Sequence, residues 1–123
     1  MQILVLDDSN VMRSILVNHL LTIGLKENEI HEAHNGADAL RKLQSQSFDL
    51  LLLDIVMDGI DGISVLKEAK KIQPDARVIM CSSFSESDTV KELIDLGIND
   101  FIVKPFSEEK LKETLLRNII ISN

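Results

Sequence analysis

The sequence predicts an α/β fold: a doubly wound, parallel five-stranded sheet with five helices distributed over both faces. Two observations predict it. Short apolar runs recur along the chain, at Ile3–Leu6, Asp49–Leu53, Arg77–Cys81 and Asp100–Val103; they are too short for helices and suit strands buried on both sides. Between them lie stretches whose apolar residues repeat at helical spacing. Strands alternating with amphipathic helices require crossovers of one hand, which lay helices on both sides of a parallel sheet.

Taken in order, Ile3–Leu6 is the first strand, closed by Asp7-Asp8. Asp8 and Ser9 are candidate caps for a helix over residues 10–23, with Val11, Met12, Ile15, Leu16, Leu20 and Leu21 at helical spacing and Gly24 as its stop. Glu29–Ala33 is a weak, charged strand and so the candidate edge. Asn35-Gly36 signals a turn, and Ala37–Leu43 a helix with Ala37, Leu40 and Leu43 on one face. Asp49–Leu53 is the most apolar strand and the candidate centre of the sheet. A turn-rich loop, Met57-Asp-Gly-Ile-Asp-Gly62, follows it, with Asp58 and Asp61 read as turn residues. Ile63–Ile72 is a helix with Val65, Leu66 and Ala69 inward, ended before Pro74. After the strand Arg77–Cys81, Ser85 or Ser87 caps a helix through Leu96, which Gly97 ends. After Asp100–Val103, Ser107 caps a last helix carrying Leu111, Leu115, Leu116 and Ile119. Its first turn holds two acids, which suit the helix dipole, although Lys110 stands where a capping box has Glu or Gln.

The bulk properties exclude several classes. A chain of 123 residues with 45% hydrophobic and 27% charged content fits one globular domain and not a disordered one. The last helix ends near the end of the sequence, and no second domain is expected within residues 1–123. A net charge of −7 opposes direct nucleic-acid binding, which rests on neutralising phosphates. No apolar run is long enough for a membrane helix, and the N-terminus lacks the basic region of a signal peptide, so a cytoplasmic protein with no membrane contact is expected. The one cysteine, Cys81, sits inside an apolar run and reads as a buried thiol. His19, His31 and His34 are scattered and do not form a metal set.

The candidate chemistry lies at the ends of strands, where a parallel sheet presents its ligand-binding crevice. Asp7 and Asp8 close the first strand, Asp54 the third, Ser82 the fourth, and Lys104-Pro105 the last. Carboxylates brought together repel unless a cation sits among them. Oxygen ligands without histidine or thiolate select a hard ion, and Mg²⁺ fits, with Mn²⁺ as a substitute. A carboxylate can also carry a phosphoryl group as an acyl phosphate, with metal and lysine neutralising charge and a hydroxyl donating a hydrogen bond. Capping of the first helix is the plainer reading of Asp7 and Asp8, and a solvated lysine that of Lys104. Ser83 is a rival to Ser82 for the hydroxyl.

The motifs Leu6-Asp7-Asp8-Ser9, Leu53-Asp54-Ile-Val-Met57, Asp61-Gly62, Ser82-Ser83 and Phe101-Ile-Val-Lys104-Pro105-Phe106, in that order, resemble the receiver domains of response regulators in two-component signalling, the CheY-like superfamily. The resemblance spans the whole chain. It implies a flavodoxin-like sheet of order 2-1-3-4-5. It also implies that Asp54 accepts phosphate from a phosphohistidine on a histidine kinase or histidine phosphotransfer protein. Mg²⁺ would then lie among Asp7, Asp8, Asp54 and the backbone carbonyl of Val56. Lys104 would pair with the phosphoryl group and Ser82 would hydrogen-bond it. Ser82 and Phe101 would form the switch that changes binding of a downstream effector, with plain core packing as the other reading of Phe101. The chain would be a monomer or a phosphorylation-dependent dimer.

Three residues depart from the usual pattern of such domains: Asp58 where proline is common, Phe101 where tyrosine is, and Ser82 where threonine is. Val56 and Phe84, two residues beyond Asp54 and Ser82, are apolar and cannot orient an attacking water, so slow self-dephosphorylation is expected. Met12 and Ile15, with Pro105 and Phe106, are candidates for an apolar dock for the phosphodonor protein; core packing is the alternative. Such a protein turns over no metabolite and is expected not to be an enzyme in that sense. A phosphatase with an aspartyl intermediate would want an acid at Val56, and a flavin or nucleotide carrier would not place Asp7-Asp8 in its phosphate loop. A receiver within a DNA-binding regulator would require a longer chain than this. Chemotaxis, phosphorelays and transcription all use similar receivers.

Overall fold

The computed structural model describes residues 1–55, 61–83 and 87–122, and for residues 87–89 and 120–122 the backbone alone. Along the chain run β1 (Ile3–Leu6), α1 (Asn10–Thr22), β2 (Ile30–Ala33), α2 (Gly36–Ser45), β3 (Leu50–Asp54), α3 (Gly62–Ile72), β4 (Arg77–Ser82), α4 (Ser87–Asp95), β5 (Asp100–Val103) and α5 (Glu108–Ser122). A short 3₁₀ turn at Glu27–Glu29 precedes β2. The strands form one parallel sheet of order β2-β1-β3-β4-β5. The apolar β3 lies at its centre and the charged β2 at one edge, as their compositions suggest.

Strand alternation divides the core. Leu4 and Leu6, Leu51 and Leu53, and Val78 and Met80 pack with α2 and α3 residues such as Leu43, Val65 and Leu66. Ile3 and Val5, Leu50 and Leu52, Ile79, Cys81 and Ile102 pack on the other side with Leu16 and Leu20 of α1 and Leu111 and Leu115 of α5. Adjacent residues of one strand therefore enter different layers, and a one-residue slip would exchange them. This parity fixes the register of the sheet and so the height at which each strand ends.

The helix ends follow from local chemistry. The Ser9 hydroxyl accepts the Met12 N–H at the start of α1, and Asn35 Oδ1 accepts the Asp38 N–H at the start of α2. Ser107 Oγ accepts the Lys110 N–H and caps α5. Each satisfies an orphan donor of the first turn. Gly24 and Gly97 have φ of +111° and +94°, a left-handed conformation natural to glycine just past a helix. Helix α2 departs from the face expected for it: Ala39 and Leu43 are buried, while Ala37 is exposed. The Asn35 cap sets the start of the helix, and position 37, about 200° around the axis from Ala39, then faces away from the sheet. Ser85 lies outside the described residues, and Ser87 is the first residue of α4.

Gly62 begins α3 directly against the end of β3. Its N–H donates to the Ile55 carbonyl at 3.0 Å, and a Cβ placed on it would lie 1.8 Å from the Asp54 carbonyl oxygen. No side chain fits there without moving one main chain off the other. Gly62→Ala is expected to destabilise the protein by about 2 kcal/mol or more, read as a lower urea midpoint, whereas Ser64→Ala on the exposed face of the same helix shifts it little.

Candidate functional site

Parity along the strands brings the polar strand ends together. In β1 the layer facing α1 and α5 receives Ile3 and Val5, in β3 Leu50 and Leu52, and in β5 Ile102. The next residues in the same phase are Asp7, Asp54 and Lys104. Three polar residues two positions beyond buried apolar ones thus emerge on one side of the sheet at its carboxyl end. A carboxylate oxygen from each of Asp7, Asp8 and Asp54 lies within 4.8 Å of the others. Among the described residues this is the one set of acidic, histidine or cysteine side chains close enough to share a metal ion.

Lys104 balances part of that charge. Its ammonium donates to Asp7 Oδ2 at 2.9 Å and lies 3.6 Å from Asp54 Oδ1. Burial works against the lysine charge, but the Asp7 hydrogen bond, with the Asp7 and Asp54 charges, outweighs it and holds the pKa above the usual lysine value. Its backbone is fixed as well: the Lys104 N–H donates to the Ser82 carbonyl at 2.7 Å. Asp7 is buried, and its Oδ1 accepts the Ser9 N–H at 2.9 Å. Asp8 is exposed. One acid is therefore anchored by the protein and its neighbour faces solvent.

The donor chemistry suits a hard divalent ion: three carboxylates are available, and the nearby thiol is not a thiolate. Burial pushes Cys81 up to about 12, with the acids of the site adding to the shift and Lys104 opposing it. The set offers oxygen ligands and an exposed acid open to solvent.

The remaining candidates fall around this centre. Ser82 ends β4 and is buried, whereas Ser83 is exposed in the bend beyond. Since Asp54 pairs with Cys81, Ser82 lies one residue beyond Asp54 on the adjacent strand. Phe101 is partly buried against the α2/α3 layer and pairs with Met80, two residues before Ser82. Met12, Ile15, Pro105 and Phe106 line one groove of about 490 Å³ with Asn18, His19 and Glu108, between α1 and the β5–α5 loop. Val56, Met57, Asp58 and Phe84 lie outside the described residues.

Arg13 and the main-chain role of Gly62 carried no signal that a reading of strand ends would find. Arg13 reaches from α1 to the Asp7 carbonyl at 2.7 Å. Its place one turn after Ser9 is visible in the sequence, but its direction is not.

The Cys81 proton carries a pH dependence. With the folded value near 12 and the ordinary value at 9.0, only the unfolded chain loses this proton between them. Stability therefore falls as pH rises through that window, by up to about 1.4 kcal/mol per pH unit from this group. Urea unfolding of wild type and Cys81→Ala across this range is expected to show a steeper decline for wild type.

Comparison with known proteins agrees with the geometry. Residues 3–116 match the model of the response regulator receiver domain. The chain is 39% identical over 118 residues to the chemotaxis protein CheY of Bacillus subtilis, covering 96% of this chain and 97% of that one. It is 38% identical over 113 residues to the transcriptional regulatory protein ZraR of Klebsiella oxytoca, covering 92% of this chain and 25% of ZraR. The crystal structure of the receiver domain of NtrX from Brucella abortus superposes with a TM-score of 0.86 at 30% identity, over 97% of this chain and 98% of that one. With its sheet order, its acidic strand ends and its lysine, the chain belongs to the response regulator receiver domain family.

Proposed function

We propose that this protein is a phosphorylation-dependent signalling switch in which Asp54 accepts a phosphoryl group from a phosphohistidine of a histidine kinase or histidine phosphotransfer protein. The observation that carries this reading is the Lys104 ammonium 3.6 Å from Asp54 Oδ1, beside three carboxylates grouped within 4.8 Å. Asp7, Asp8, Asp54 and the Val56 carbonyl would hold Mg²⁺, or Mn²⁺ in its place. Bound there, the ion would neutralise charge that builds on the phosphoryl oxygens during transfer.

The residues of the chain supply the rest. An Asp54 carboxylate oxygen forms the new bond to phosphorus as the bond to the donor imidazole nitrogen breaks, and the imidazole keeps that electron pair. The raised pKa of Lys104 keeps it cationic throughout the neutral range, so it can follow the negative charge from Asp7 to the incoming phosphoryl group. Ser82 would donate a hydrogen bond to a phosphoryl oxygen. A change at Ser82 would be felt at Phe101 through the β4–β5 pair, where Met80 adjoins Phe101. An effector would read that change at the end of the sheet near α4. The groove of Met12, Ile15, Pro105 and Phe106 would seat the phosphodonor protein beside the acids.

Nothing in this scheme turns over a metabolite, and the protein is not an enzyme in that sense. The charge of −7 argues against direct contact with nucleic acid. No helix among the described residues is long and apolar enough to cross a membrane. The reading places the protein in the cytoplasm, as a monomer or a dimer formed on phosphorylation.

With a small-molecule phosphodonor and Mg²⁺, wild type is expected to gain one phosphoryl group per chain by intact mass, and Asp54→Asn none. After removal of the donor the label should persist well beyond a few seconds. Equal labelling of Asp54→Asn overturns the assignment, and sustained phosphate release over many turnovers replaces the switch with a phosphatase. For the dock, Met12→Glu is expected to slow transfer from a phosphohistidine protein by tenfold or more while labelling by the small donor stays near wild type; unchanged transfer places the dock elsewhere.

A further inference from the structure

We propose that Arg13 is a positioning residue for the acidic centre: by holding the Asp7 carbonyl it fixes the peptide plane between Asp7 and Asp8, and so aims the Asp8 carboxylate at the divalent ion. The inference rests on the reading of Asp7, Asp8 and Asp54 as a metal site. Between the end of β1 at Leu6 and the start of α1 at Asn10 only three residues intervene. The Asp7 side chain is anchored by Ser9 N–H and Lys104, and Ser9 caps α1. The peptide that joins the two acids is held through its carbonyl, which accepts from Arg13 Nη1 at 2.7 Å. Rotation about the Asp7 Cα–C bond, which carries that plane, also carries Asp8, whose side chain is exposed and has no burial to orient it.

The guanidinium is itself held from two other sides. Arg13 Nε donates to Glu32 Oε1 of β2 at 3.1 Å, and Nη2 to Asn10 Oδ1 of α1 at 2.6 Å. The planar fork thus bridges an edge strand, a helix start and the loop between, with its side chain only 14% exposed. A rigid fork held at several donors suits such a task better than a lysine does. The Glu32 partner is half exposed, and an ion pair of that kind contributes little by itself. The bond to a main-chain carbonyl beside the metal ligands is what gives the residue its consequence. Groups that orient ligands from outside the coordination shell change metal affinity by about tenfold or more when removed.

The test is the Mn²⁺ affinity of the full chain, followed by the spin resonance of free Mn²⁺. Arg13→Ala is expected to raise the dissociation constant about tenfold or more, and Arg13→Lys, with one donor left for the carbonyl, to recover part of the loss. Removing a cation near clustered acids would by electrostatics alone tighten Mn²⁺ binding, so the sign separates the two effects. Unchanged or tighter affinity in a folded Arg13→Ala variant overturns the proposal. If that variant fails to fold, the Asn10→Ala, Glu32→Ala pair leaves Arg13 in place but unsupported; a several-fold loss upholds the role and an unchanged constant overturns it. Wild type that binds no Mn²⁺ and takes no phosphoryl group overturns the site reading and this one with it. Wild type that does both, beside an unaffected Arg13→Ala, overturns this one alone.

Discussion

The contact between Lys104 and Asp7 sets the terms for the rest of the molecule. It joins β5 to β1 across the ends of β3 and β4, so a cation from beyond an outer strand closes over the end of the central one. Three acids at adjacent strand ends would push each other apart in a medium poorer in water than the bulk. Lys104 relieves that repulsion in part while leaving Asp54 at 3.6 Å, near enough to attract and not yet in hydrogen-bond contact. The remaining negative charge is what a divalent ion would answer. A centre with a surplus of acid over base is poised for cationic ligands and for chemistry that builds negative charge beside them.

The sheet makes that poise geometrical. Asp7, Asp54 and Lys104 share a phase with Val5, Leu52 and Ile102, all buried in one layer. Ser82 and Phe101 share the opposite phase, with Met80. Phe101 and Met80 therefore pack in the layer opposite the one beneath the charged residues, while Ser82, at the end of β4, stands one residue beyond Asp54 on the neighbouring strand. A register shift of one residue in any of these strands would bury charge in an apolar layer, so the packing that stabilises the fold also enforces the alignment of the site.

Much of this was legible in the chain. The strands were readable because each is a short apolar run with a polar end. The central position of β3 followed from Leu50-Leu-Leu-Leu53, and the edge position of β2 from His31 and Glu32. Asp7, Asp54 and Lys104 stood out because each lies at the end of a buried apolar strand, and the folded chain brings the three together. The face of α2 was misjudged at Ala37, since alanine carries too little hydrophobic signal to fix a helical phase that Asn35 sets by hydrogen bonding. The aim of Arg13 was hidden for another reason: a long, flexible cation on a helix has many reachable partners, and only the folded neighbourhood of Glu32, Asn10 and Asp7 selects among them.

The missing side chain at Gly62 has a mechanical consequence. Where helix and strand are separated by side chains, each can shift a little before the other responds. Here the main chain of α3 rests on the main chain of Asp54, with a hydrogen bond from Gly62 to Ile55 drawing them together. Strand β3 and that helix meet main chain to main chain with no side chain to cushion the joint, so a displacement of Asp54 would press directly on the start of α3.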